Sequence, residues 1–492
     1  MYNRKNQKNT TLLTIILICS ILGFSVGFNL QLLTGTVKSE DNFDILLPKM
    51  AATFVNIEID ALATTNTTNS GNWTWAKDIG ICTGLGTPSS PYLIQDHIFD
   101  NGAMFDDCLR ILNSREYFVI RTCTFRNSDS LEAGLYLNNI TNGDVINCNA
   151  YNCLRGIELS FVNDTELSGN HMYQNNEGLR LSNSHHNIIS NNNASDNSNH
   201  GIFLTQSTFN TISNNLANQN ENINGISLNS NSDDNNVIGN TASFNGQNGI
   251  MTDACDEVLI QNNIIFSNVL HGILLDGGNF LYCLQNTVYE NSDNGIFLNS
   301  PDDCEIENNN IHHNGLDGIR LYASQRNILG TNTIQYNNLS GIHLDFNSHN
   351  NLLINNLANN NKEHGILLDS SNNAGLIGNT ANNNEMNGIH LLDSNSNSIV
   401  SNTANNNRNG TYLENSDINI IVNNILLGNL VCYNETGGSS GNIFENNICT
   451  AGVPEIDTVT LSIVLLVFVI LEGAALGGIV GIYFLKKRKS KT

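Results

Sequence analysis

The stretch GIHLDFNSHNNLLINNLANNNKEHGILL, residues 341–368, holds one full unit of a pattern that organises most of the chain. It opens on Gly341-Ile342-His343-Leu344 and closes as the next unit starts, at Gly365-Ile366-Leu367-Leu368. Ile342 and Leu344 flank one residue, and that alternation sends both side chains to the same face of a strand. A second apolar pair follows an asparagine, at Asn351-Leu352-Leu353. In sister units a third short segment pairs an asparagine with a small residue, as in Asn379-Thr380-Ala381 and Asn402-Thr403-Ala404. Asn, Ser and Gly fill the gaps, residues that accept bends and left-handed backbone angles.

Outward from this unit, the Gly-aliphatic-x-Leu tetrapeptide recurs at Gly134, Gly156, Gly178, Gly201, Gly225, Gly272, Gly295, Gly318 and Gly388, with weaker copies at Gly249 and Gly410. Gly134 to Gly410 spans 276 residues in 12 intervals of 22 to 24, a mean of 23. Cys108-Leu109-Arg110-Ile111 is a divergent earlier copy and puts the start near residue 80. Three such short strands cannot bury an apolar face alone. Stacked coils can, because each strand gains a parallel neighbour above and below. The expected architecture is an all-β, right-handed parallel β-helix over residues 78–450, the hand following from the rule for parallel crossovers. At about 4.8 Å per coil the 12 intervals span roughly 60 Å. Asparagines at equal positions should then form ladders that satisfy buried turn amides. A leucine-rich repeat has an overlapping period, but its LxxLxLxxN register is absent and Ala381-Asn382-Asn383-Asn384-Glu385 would not form its helices.

The Gly-Ile-x-Leu, Ser-x-x-Asn-x-Ile and Asn-Thr-Ala-Asn-Asn-Asn pattern resembles the NosD-type right-handed β-helix family, and the resemblance covers roughly residues 78 to 450. Gly84-Leu85-Gly86-Thr87 through Pro91-Tyr92-Leu93-Ile94 is similar to the first coil of archaeal members. The resemblance implies this fold and, through the wider group of carbohydrate-binding and sugar-hydrolysing β-helices, a polysaccharide ligand. The copper association of the family name is a weaker implication, since repeat motifs specify a fold and not a site.

The two ends differ from the middle. Residues 1–33 carry an apolar run, Thr11 to Leu33, behind Arg4, Lys5 and Lys8, which reads as a signal peptide or an N-terminal membrane anchor. Residues 34–77 read as a linker or cap, and 451–458 as a second linker. Val459 to Leu485 is long and apolar enough for a transmembrane helix, and the basic tail at 486–492 places that end in the cytoplasm and the β-helix outside the cell. Gly473, Gly477 and Gly481 have the spacing of a self-associating membrane helix. Between the tails, residues 34–457 hold 13 Lys+Arg against 44 Asp+Glu, a balance of −31. Such a surface repels nucleic acid and anionic polymers and attracts divalent cations. Among ten cysteines outside the first apolar run, Cys82 with Cys108, Cys148 with Cys153, and Cys432 with Cys449 are near enough in sequence to pair; a role as small buried residues is the alternative.

Residues between the two core positions of the first strand should point outward and line up along one long face. That row runs Tyr136, Glu158, Arg180, Phe203, Ser227, Met251, Leu274, Phe297, Arg320, His343, Leu367, His390 and Tyr412. A neighbouring row holds Asp253, Asp276, Asn299, Tyr322, Asp345 and Asp369. The best candidate site gathers Asp317, Arg320, His343, Asp345, His364, Asp369 and His390 within a few strand spacings. Asp345, His343, Asp369 and Arg320 are the candidates for acid–base chemistry on a polysaccharide, as in a lyase or glycoside hydrolase. His343, His364, His390 and Asp369 are the candidates for holding a divalent cation. Tyr136, Phe203, Phe297, Tyr322 and Tyr412 are the candidates for stacking on sugar rings. A surface-structural role, with an acidic solvated face and no ligand, is the plain alternative, and Glu158 over Arg180 reads as a salt bridge between coils.

Overall fold

The computed structural model describes residues 51–129 and 131–451, which form a stack of parallel coils. Every Gly-aliphatic-x-Leu unit is a strand of the first sheet, and each pairs in parallel with its counterpart one coil away: Ile319 sits on Ile342, Leu321 on Leu344. This ladder of 17 strands runs from Ser70–Gly71 and Ile57–Asp60 through Leu109–Leu112 to Val431–Thr436. No pairing joins its first strand to its last, so it covers one face of the solenoid. The second sheet has 16 strands, from Tyr92–Gln95 to Ile443–Glu445. The third is broken into runs of five, six and two strands, linked by single bridges through Asn193, Leu216, Thr380 and Thr403.

The core is a set of stacked aliphatic columns. Ile296, Ile319, Ile342, Ile366 and Ile389 form one, all fully buried, and each contributes about 1.5–3 kcal/mol of transfer free energy. The repeated glycine marks where two coils crowd together. A Cβ on Gly318 would lie 2.2 Å from Ile334 Cγ2 and 2.7 Å from the carbonyl oxygen of Gly341, so no side chain fits the column.

The expected asparagine ladders are present. One runs unbroken from Asn170 to Asn447 and another from Asn175 to Asn429. Asn309 shows the rung. Its N–H and Nδ2 both donate to Asn332 Oδ1 at 3.0 Å, Nδ2 also donates to the Cys283 carbonyl at 2.8 Å, and Oδ1 accepts from Asn286 N and Nδ2. The preceding Asn308 has φ 58°, a left-handed turn residue, so Asn-Asn pairs divide the labour of bending and bonding.

The solenoid starts earlier than residue 78. Ile57–Asp60 pairs with Leu109–Leu112, and Thr53–Phe54 pairs with Ile98–Asp100, so these strands of the segment expected as a linker or cap belong to the first coil. The repeat signature is missing there because the segment between those strands is an inserted cap. Its helix, Trp73–Asp78, is started by Asn72, whose side chain accepts from Trp75 N, and Trp73 stacks on Tyr92 at 4.5 Å. Such a cap closes the open end of a stacked core.

Of the three cysteine pairings considered, Cys432–Cys449 is a disulfide, joining the strands of the last coil. Cys82, Cys108, Cys148 and Cys153 are buried free thiols instead. Cys148 and Cys153 stand at the heads of the two long ladders, their N–H groups donating to Asn170 and Asn175. They occupy asparagine positions, which is why they do not face each other. The apolar runs at 11–33 and 459–485, the glycines at 473, 477 and 481, and the basic tail lie outside the described residues; among the described residues no helix is long and apolar enough to cross a membrane.

Candidate functional site

The outer face of the first sheet carries the expected row. Phe297, Arg320, His343, Leu367, His390 and Tyr412 are successive register partners. Leu367 separates the predicted set into two groups.

The first group centres on His343. Its Nδ1 lies 3.1 Å from Oδ2 of the buried Asp317, whose other oxygen accepts from Ser340 N. A carboxylate only accepts, so a neutral His343 carries its proton on Nδ1 and its lone pair on Nε2. That Nε2 is buried without a hydrogen-bond partner. One ligand atom from each of His343, Asp345 and Asp369 lies within 4.8 Å of the others. Arg320 forms an ion pair with Asp345 and lies over the Phe297 ring.

In the second group, His364 Nδ1 accepts the backbone N–H of Asn387 at 3.3 Å, and its Nε2 faces His390 Nδ1 at 3.3 Å. Burial pushes His364 down to about 3, helped by the nearby His390 and His343 charges, and burial with His343 pushes His390 down to about 4. Both rings are therefore neutral near pH 7. Tyr412 stacks on His390 at 4.8 Å, and its hydroxyl meets Thr436 Oγ1 at 2.9 Å. His364, Asn387, His390 and Tyr412, together with Arg408, Glu414 and Asn434, line a cavity of about 430 Å³.

Asn387, Arg408, Asn409, Glu414 and Asn434 extend this site beyond the sequence reading. Asn387 and Asn409 stand directly before a repeat glycine and bond to each other at 2.6 Å; that position was the signal that could have revealed them. The aromatic candidates stand on the expected face, but each has a protein group against its ring. Tyr136 has Arg110 over it, Phe203 lies between His200 and Arg180, Phe297 meets His271, Tyr322 meets Phe346 and Tyr412 meets His390. Glu158 does not pair with Arg180. Arg155 reaches Glu158 at 2.8 Å and Arg180 reaches Glu177 at 3.2 Å, because Arg155 and Glu177 share the position before the glycine and are nearer.

Two family models match the chain. Residues 100–269 match "Periplasmic copper-binding protein (NosD)" and residues 271–426 match "Right handed beta helix region". No curated protein matches by sequence. Similar solved structures include a periplasmic alginate epimerase (14% identity, 77% of this chain and 89% of that one, TM-score 0.38). The mannuronan C-5 epimerase A-module of Azotobacter vinelandii is also similar (13%, 73% and 88%, TM-score 0.35), as is the catalytic domain of an α-1,3-glucanase (10%, 72% and 64%, TM-score 0.35). At these values the likenesses carry no argument about activity.

Among the described residues one group could hold a metal ion: His343 offers one imidazole beside the Asp345 and Asp369 carboxylates, and Asp345 is also held by Arg320. Nitrogen and oxygen donors of this kind suit several divalent ions and do not single out copper. That group also lies outside the residues matched to the copper-binding family. Repeat, register and family matches agree on one fold: the chain is a parallel β-helix solenoid that is similar to the NosD family over residues 100–269 and to right-handed β-helix regions over residues 271–426.

Proposed function

We propose that this protein binds polysaccharide outside the cytoplasm, on the outer face of the first sheet, with the cavity between His364 and Asn434 as the seat of binding. The cavity itself carries the reading. About 430 Å³ of concave space is lined by imidazole, phenol, amide, guanidinium and carboxylate groups together with the apolar Met386, Leu430 and Val431, a mixture suited to the hydroxyls and the apolar ring faces of sugars. The acidic surface favours neutral polymers over nucleic acid. Affinity electrophoresis of the full-length chain through gels containing soluble polysaccharides tests the reading. Retardation is expected, and it should be lost in Val431→Trp, which fills the cavity from an exposed edge. Unretarded wild type, or an equally retarded variant, contradicts it.

A second reading, cleavage of the same polymer, has one observation in its favour. Asp317 engages His343 Nδ1, which leaves a buried Nε2 lone pair without a hydrogen-bond partner in a group with Asp345 and Asp369. That arrangement suits a general base, with Arg320 fixing the Asp345 carboxylate, or a hard divalent cation held by His343, Asp345 and Asp369. Release of new reducing ends, abolished by His343→Ala and by Asp345→Asn, would establish it; no product from any bound polysaccharide would remove it.

A further inference from the structure

The hydrogen bonds around His390 determine which of its nitrogens carries the proton. His364 Nδ1 accepts from Asn387 N–H, so the neutral ring of His364 is protonated on Nε2. That N–H donates to His390 Nδ1, which leaves the His390 proton on Nε2. His390 Nε2 has no hydrogen-bond partner, although its side chain is only 10% exposed, and it lines the cavity. A buried N–H donor without an acceptor costs about 1–3 kcal/mol. It is a place built for an acceptor.

A carboxylate oxygen, Glu414 Oε2, lies 4.0 Å away. This is too long for a direct N–H···O bond, whose span is about 2.7–3.2 Å. It matches a gap with one hydroxyl in it. An oxygen roughly 2.9 Å from the nitrogen and roughly 2.7 Å from the carboxylate, with a near-right angle between them, separates the two groups by about 4.0 Å. Such a hydroxyl accepts from His390 and donates to Glu414. Stacking on Tyr412 holds the imidazole plane, and the Tyr412 hydroxyl is itself tied to Thr436. A carboxylate or sulfate oxygen has no proton for Glu414 and meets its charge directly. Arg408 supplies one cation in the same cavity, but Glu414 offsets it and the surrounding surface is strongly acidic.

We propose that His390 Nε2–H and the Glu414 carboxylate form a clamp for a single hydroxyl of an uncharged sugar residue, an assignment that rests on the polysaccharide-binding reading and narrows it to neutral glycans. The test uses the full-length chain in affinity gels containing a β-glucan, a mannan or a galactan, and in parallel gels containing polygalacturonate or a sulfated galactan. At least one neutral polymer should retard the chain, and the acidic ones should not. Glu414→Leu, at a partly exposed position, and His390→Phe, which keeps a ring against Tyr412, should each weaken that retardation by about tenfold or more. Exposed Glu257→Gln, far from the cavity, should leave it unchanged. Neutral polymers that bind Glu414→Leu and His390→Phe as tightly as wild type overturn the clamp and leave the binding reading standing. Retardation by acidic polymers alone also overturns it. No retardation by any polymer ends both.

Discussion

A buried asparagine in this chain is a structural part with four bonds to keep. At Asn309 the amide nitrogen donates to Cys283 O and Asn332 Oδ1, while the oxygen receives two donors from Asn286. Asn309→Asp keeps the shape and removes both side-chain donors, placing a charge where it cannot be solvated. It should lower unfolding stability by about 3 kcal/mol or more, read from urea denaturation; a change under 1 kcal/mol would mean that the rung is dispensable. His364 and His390 supply a second prediction at this scale. Their unfolded values near 6.5 are depressed on folding to about 3 and about 4. Between pH 6.5 and 4 the unfolded chain therefore takes up protons that the folded one refuses. Stability present above pH 6.5 is lost as pH falls through that window, on the order of 3 kcal/mol for each ring. Removing one ring in His390→Phe should flatten the acid limb of a stability–pH curve relative to wild type, and parallel curves would contradict the assignment.

At the scale of strands and turns, the glycine column and the disulfide make separate demands. Gly318→Val would drive a branched side chain into Ile334 and the Gly341 carbonyl, so the coils on either side must part; a fall in thermal midpoint of several degrees is expected, against little change for a surface substitution. The buried thiols of Cys82, Cys255 and Cys304 are pushed up to about 12, chiefly by burial, so thiol reagents should label none of them in the native protein and all of them after unfolding. These elements explain what was readable in advance. Alternation and a 23-residue period revealed the strands, the stacking and the ladders, because the same chemistry repeats at each coil. The first coil was not readable, since the cap with Trp73 separates Ile57–Asp60 from its partner strand. Nor was the difference between Asn308, which bends, and Asn309, which bonds, because both residues suit a turn. His343 and His390 were legible from alternation, whereas Glu414 was not, since Leu392 interrupts its polar row. Arg408 lies in a turn with no periodic signal.

For the molecule as a whole, one property makes every site argument possible: equal positions in successive coils touch, so distance along the solenoid grows by a fixed step. Positions 285 and 401 stand in one exposed turn column, five coils apart, and position 191 stands nine coils from 401. Pulsed electron spin resonance between nitroxides on cysteines introduced at these sites measures the spacing directly, the free native thiols among the described residues being buried. At about 4.8 Å per coil, the pair 285/401 should give roughly 24 Å and the pair 191/401 roughly 43 Å. Two distances that fail to scale with coil number would contradict the stacked register, and with it the assembly of His343, His390 and Glu414 on a common face.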